Sequence, residues 1–224
     1  MGANLLLAVI VAASAAPVPA TASGAPKILD QIVATIGKRA TTVVTRSDLV
    51  NRLVLHVARL GGKPGLANVR TIIRDPLALQ RIRELVIAEI LLSRDAKKLG
   101  LADPRPIDIK ARRTLYAAKF ADPKAFEVLL RRLELTDDAF DQAIAQELRA
   151  ERYLDTKLQI VTVFPDEVRA EYARRKASLE GVTFEVARLV LTKELVTKAR
   201  EARTKKLLHE LEMTEGVRRF AFQR

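Results

Sequence analysis

The stretch from Asp75 to Gly100 constrains this fold more than any other part of the chain. Asp75 is a natural N-cap, Pro76 sits at the first helical position, and Gly100 stands just past the end. Between these signals Leu77, Ile82, Leu85, Val86, Ile90, Leu92, Ala96 and Leu99 cover much more than one narrow stripe. A helix over 76–99 is about 36 Å long by its rise. It hides apolar side chains on several sides only if other elements surround it. The segment therefore predicts a mainly α-helical body with this helix at its centre.

The flanking sequence supplies those elements. Ile28–Gly37 is rich in β-branched residues, Gly37-Lys38-Arg39 makes a turn, and Thr41–Thr45 reads as a second strand, which together predict a hairpin. Thr45 and Asp48, three residues apart, mark a helix start, and Leu49, Leu53, Val54, Val57 and Leu60 form its apolar face. Gly61-Gly62 ends that helix, and Lys63-Pro64-Gly65 continues as a loop. After Pro104 and Pro106 a helix is expected near Ile107–Phe120, and Asp122-Pro123 opens a short one through Phe126, Leu129, Leu130 and Leu133. Thr136-Asp137-Asp138 begins the next, with acids where the helix dipole favours them. The β-branched link Ile160–Phe164 ends at Pro165, and Asp166–Lys176 is a further short helix. A last long helix runs from about Phe184 to Met213, closed by Gly216. Val217–Phe222 then alternates like an edge strand. A lone strand is unstable, so it should pair with the N-terminal hairpin and tie both chain ends into one small sheet.

The first residues read as an export signal. From Asn4 to Pro26 there is no charge, Leu5–Ala13 is a continuous apolar run, and small residues follow in Ala13-Ser14-Ala15 and Ala20-Thr21-Ala22. The run is too short to span a bilayer, which takes roughly 20 apolar residues, and both triplets fit the A-x-A cleavage pattern. Residues 1–24 are thus expected to be a cleaved signal peptide, and 25–224 one domain of a periplasmic protein without a transmembrane segment. The chain has no Cys, which excludes a disulfide framework and a thiolate zinc site.

A formal net charge of +12 raises a nucleic-acid reading. The excess is spread out: residues 27–75 carry 9 basic against 3 acidic groups, while 136–164 carry 3 against 6. There is no polybasic tail and no Trp, and aromatic residues for base stacking make up only 4%. A dispersed basic surface would equally attract acidic polypeptides or anionic membranes. Nucleic acid is not the expected partner.

No catalytic constellation is visible. His56 lies one residue from an apolar helix face, and His209 sits among Lys205, Lys206 and Glu210. Gly61-Gly62-Lys63-Pro64-Gly65 lacks the spacing and the Ser/Thr of a phosphate-binding loop. The reading is of a protein that is not an enzyme and holds no cofactor or metal.

The order of elements resembles the N-terminal chaperone domain of the SurA-type periplasmic chaperones, in the wider group that includes trigger factor. The resemblance rests on Ile28–Gly37 followed by Val43–Leu49, on Leu79–Leu92 through Lys98-Leu99-Gly100-Leu101, and on Phe126, Leu130, Thr136, Phe140, Glu147–Leu154, Pro165, Glu167, Val168 and Tyr172. Family members commonly carry parvulin-type prolyl isomerase domains between the helical domain and a returning C-terminal helix and strand. Here only residues 173–183 separate Tyr172 from Phe184, far fewer than the roughly 100 a domain needs. The resemblance implies the chaperone part with the isomerase absent.

On that reading the chain is an ATP-independent holding chaperone whose partners are unfolded exported or outer-membrane polypeptides, bound by apolar surface. The expected peptide-binding residues are Tyr116, Phe120, Phe126, Leu129, Leu130 and Leu133 on the short helical pair, unless they simply pack on the central helix. The competing readings are a structural adaptor for one folded envelope partner and, less favoured, a basic nucleic-acid-binding protein.

Overall fold

The computed structural model describes residues 30–59, 74–120, 122–132, 135–179 and 181–222. The leader, the Gly61–Gly65 loop and Leu133 lie outside them. Strands β1 (Ile32–Ile36) and β2 (Thr42–Thr45) form the expected hairpin. Gly37 turns the chain at φ 103°, where an added Cβ would strike the Thr41 hydroxyl. Helix α1 (Arg46–Arg59) starts with a reciprocal cap, as Thr45 N–H donates to the Asp48 carboxylate at 2.8 Å and Asp48 N–H to the Thr45 hydroxyl at 3.3 Å.

The long helix, α2, spans Pro76–Lys98, and the Asp75 carboxylate accepts the Leu77 N–H at 2.9 Å. Leu79, Ile82, Val86, Ile87, Leu91, Leu92 and Ala96 are buried along it, so it is covered on several sides as expected. Leu77 and Leu99, at its two ends, face solvent instead. Helix α3 (Pro106–Ala117) follows, three residues shorter at its C-terminal end than the sequence suggested, and then α4 (Pro123–Arg132). In α5 (Asp137–Leu158) Thr136 caps the first turn through Ala139 N–H at 3.2 Å. Residues 161–164 are coil, and α6 (Pro165–Arg175) leads through a short 3-10 turn into α7 (Phe184–Glu215), a rod of about 48 Å. Gly216, at φ 78°, ends it and releases β3 (Val217–Arg219).

The sheet is antiparallel with order β2-β1-β3, so the final strand completes the N-terminal hairpin. Ala34 is paired on one side with Val44 and on the other with Arg219. The main core joins Val33, Ala34, Ile36 and Val44 of the sheet to α1, to the length of α2, to Tyr153 of α5 and to Leu207 and Leu211 of α7. Beyond this body α6 and the N-terminal half of α7 form an arm with its own small core of Val168, Ala187 and Leu191.

Candidate functional site

The short helical pair places its aromatic residues inward. Tyr116, Phe126 and Leu130 are each 3 to 4% exposed and pack with Phe140 and Ile144 of α5. Phe126 stands edge-on to Phe140 with ring centres 5.3 Å apart and leans on Phe120 at 5.1 Å. Leu129 joins the main core, and Phe120 bridges the two clusters. Covered by α5, Tyr116 and Phe126 are closed off, while Leu130 borders a cleft of about 380 Å³ whose other walls are mostly charged or polar, from Arg113, Glu127, Arg131, Thr136 and Asp137.

Behind them runs a layer of buried charge that the residue pattern alone does not disclose. The Tyr116 hydroxyl donates to the Glu147 carboxylate at 2.6 Å, and Arg112 joins Glu147 at 2.6 Å and Glu151 at 2.8 Å. Burial, and then the Glu147 carboxylate, push the Tyr116 phenol well above its ordinary range, which keeps it a hydrogen-bond donor. On the other side Arg52 of α1 pairs with Glu89 of α2 at 2.6 Å and donates to the Ala143 carbonyl of α5 at 2.9 Å. Arg149 reaches Ser93 at 2.8 Å and the Asp103 carboxylate. These bonds lock α1, α2, α3 and α5 to one another. Glu89 sits inside the apolar run 85–92, and a charge among apolar neighbours is the one sequence signal of this buried pair.

Two further open features stand out. The first is a groove of about 330 Å³ between β2, α1, α2 and α5. Val44, Val86, Ile90 and Ala143 supply apolar walls, while Asn51, Gln142 and Gln146 add carboxamides. Gln142 and Gln146, one helical turn apart, share a face of α5. The groove is walled on one side by β2, an edge strand of the sheet.

The second is the arm. Tyr172 packs edge-on against Phe184 at 5.4 Å, and its hydroxyl donates to the Val182 carbonyl at 2.7 Å, clasping α6 onto α7. Arg175 ties Glu171 to Glu194 at 2.5 and 2.6 Å. Hydrogen bonds from Arg174, then Arg175, hold the Glu171 carboxyl down at about 2. On the opposite side of α7, Val186, Leu189 and Val190 are 69, 73 and 59% exposed. At 100° per residue Val186 and Leu211 lie within about 20° of each other around the helix. Between them that sector carries Lys193, Thr197, Arg200 and Thr204, so Val186, Leu189 and Val190 form an uncovered apolar patch of their own at the arm's end of the helix. Ile160 and Phe164, in the link before α6, are also exposed.

Among the described residues no group of three His, Asp or Glu side chains is placed to hold a metal ion. No described helix is long and apolar enough to cross a membrane. What the arrangement offers chemically is apolar contact, carboxamide hydrogen bonding and a strand edge. The fold defines a helical body whose two chain ends are tied by one small sheet, with a projecting two-helix arm. The chain matches no protein-family model and no curated protein.

Proposed function

We propose that the chain is an ATP-independent holding chaperone for unfolded exported polypeptides, working in the periplasm after removal of its leader. The observation that carries this reading is the patch Val186, Leu189 and Val190, an apolar helix face left open to solvent. Surface leucines scattered singly need no explanation, but three apolar residues at i, i+3 and i+4 make a helix face that lacks its partner. Unfolded chains expose the apolar side chains that such a face shelters, at roughly 25 cal/mol per Å² before ordering costs.

Two further features support it. The uncharged leader of 4–26 fits export. The Tyr172–Val182 clasp closes α6 directly onto α7 where the SurA-type chaperones that the sequence resembles carry an isomerase, in keeping with capture without catalysis. The dispersed positive charge raises the encounter rate with acidic clients and is screened over about 8 Å at physiological salt.

The test is dilution of a urea-unfolded outer-membrane barrel protein into buffer without ATP. The intact chain should suppress its aggregation, and a Val186→Ser, Leu189→Ser, Val190→Ser variant should do so poorly while melting normally. Prolyl isomerase turnover, or binding of one folded envelope protein with indifference to unfolded chains, would refute the reading. So would loss of all client binding at moderate salt.

A further inference from the structure

The sheet register decides which backbone groups face the groove. Phe220 N–H donates to the Val33 carbonyl at 3.0 Å and Gly37 N–H to the Gly216 carbonyl at 3.0 Å, so the odd residues of β1 turn toward β3. In an antiparallel ladder the groups of successive residues alternate in direction. Ala34 and Ile36 therefore turn toward β2, where they pair with Val44 and Thr42. Val43, opposite Thr35, must then point its N–H and C=O away from β1. Thr45 N–H, which faces the same way, is already taken by Asp48. Val43 is left holding an outward donor and acceptor at the wall of the groove, and among the described residues nothing pairs with them.

We infer that this groove binds the main chain of an extended client segment, added as a further strand along the outer edge of β2. This deepens the holding-chaperone reading and rests on it. A bare strand edge is complementary to another backbone and to little else. The carboxamides of Asn51, Gln142 and Gln146 carry the same donor and acceptor as a peptide group and make no hydrogen bond to another described residue. They can follow a client backbone without reading its sequence. Val86 and Ile90 form an apolar wall that accepts a client side chain of any shape. The groove lies at the small end of the roughly 300–1,000 Å³ typical of ligand sites, so it holds only a short segment. The edge is short as well, four residues, which limits the new ladder to very few bonds and keeps binding exchangeable. Side-chain capture would then fall to the arm, and main-chain capture to the groove.

The probe is a fluorescein-labelled decapeptide of alternating valine and threonine with terminal lysines, titrated against the full chain. Saturating peptide should slow amide exchange at Val43 at least tenfold. Val43→Pro removes the outward N–H without breaking a ladder bond to β1, at an edge position where a strand tolerates proline, and should weaken the peptide about fivefold. Gln142→Ala with Gln146→Ala should weaken it similarly and serves if the proline variant does not fold. Unchanged Val43 exchange at saturation, or unchanged affinity in a folded variant, would overturn the inference. That failure is distinct from failure of the parent reading. A chain that holds clients through its arm while leaving Val43 unprotected sinks only the edge-strand mode, whereas one that neither suppresses aggregation nor binds peptide sinks both.

Discussion

Arg52 on α1 and Glu89 on α2 meet at 2.6 Å with only 8 and 14% of their side chains exposed, and the same guanidinium reaches across to the Ala143 carbonyl of α5. One side chain thus fastens three helices at the floor of the groove.

Breaking this pair should be costly, because the survivor keeps its charge away from water. Arg52→Ala is expected to destabilise the chain by about 3 kcal/mol. Replacing both residues together, as Arg52→Met with Glu89→Leu, should recover much of that loss. Urea unfolding of the parent and the two variants checks the sign and the recovery, and equal losses in the single and double variants would refute it.

The aromatic cluster is interior, so its variants should act on stability first. Phe126→Ala removes a ring wedged between Phe120 and Phe140 and should cost about 3 to 5 kcal/mol. Any fall in client affinity should track the fraction unfolded. A variant that melts like the parent yet binds clients weakly would place Phe126 at the binding surface after all.

Ending the chain after Gly216 removes β3 and strips β1 of a partner strand. It also removes Arg219, which pairs with Glu84 at 2.8 Å and Glu212 at 2.7 Å. The truncated chain should melt several degrees lower, and the Thr35 amide, turned toward β3, should exchange far faster. Melting identical to the full chain would mean that the shared sheet contributes nothing.

At the far end of α7, Glu215 accepts from Lys98 and pairs with Arg94 at 3.2 Å, and Lys98 chiefly holds its carboxyl below the ordinary 4.5. A carboxyl lowered in the folded state adds stability that is complete above its unfolded pKa and disappears as pH falls through the folded one. The stability lead of the parent over Glu215→Gln should hold steady above pH about 5 and shrink to nothing in stronger acid. A lead that grew on acidification would contradict the assignment.

Much of this architecture is legible in the residues because it is written in local chemistry. Asp75 with Pro76, Thr136, Gly216 and the Thr45–Asp48 pair set helix ends by satisfying backbone groups within a few residues. The width of the apolar surface on α2 was enough to place it at the centre, and the instability of a lone strand was enough to pair β3 with the hairpin. Which apolar residues face outward was not legible. Phe126 and Leu130 are as apolar as Val186, Leu189 and Val190, yet α5 covers the first set and nothing described covers the second. Burial of Arg52 and Glu89 is likewise decided by a partner 37 positions away in sequence. The outward turn of Val43 depends on a register set by strands from both ends of the chain. Local sequence determines where elements begin and end, because caps and turns are short-range bonds. Only the tertiary structure decides which face meets water, because that depends on what else has packed there.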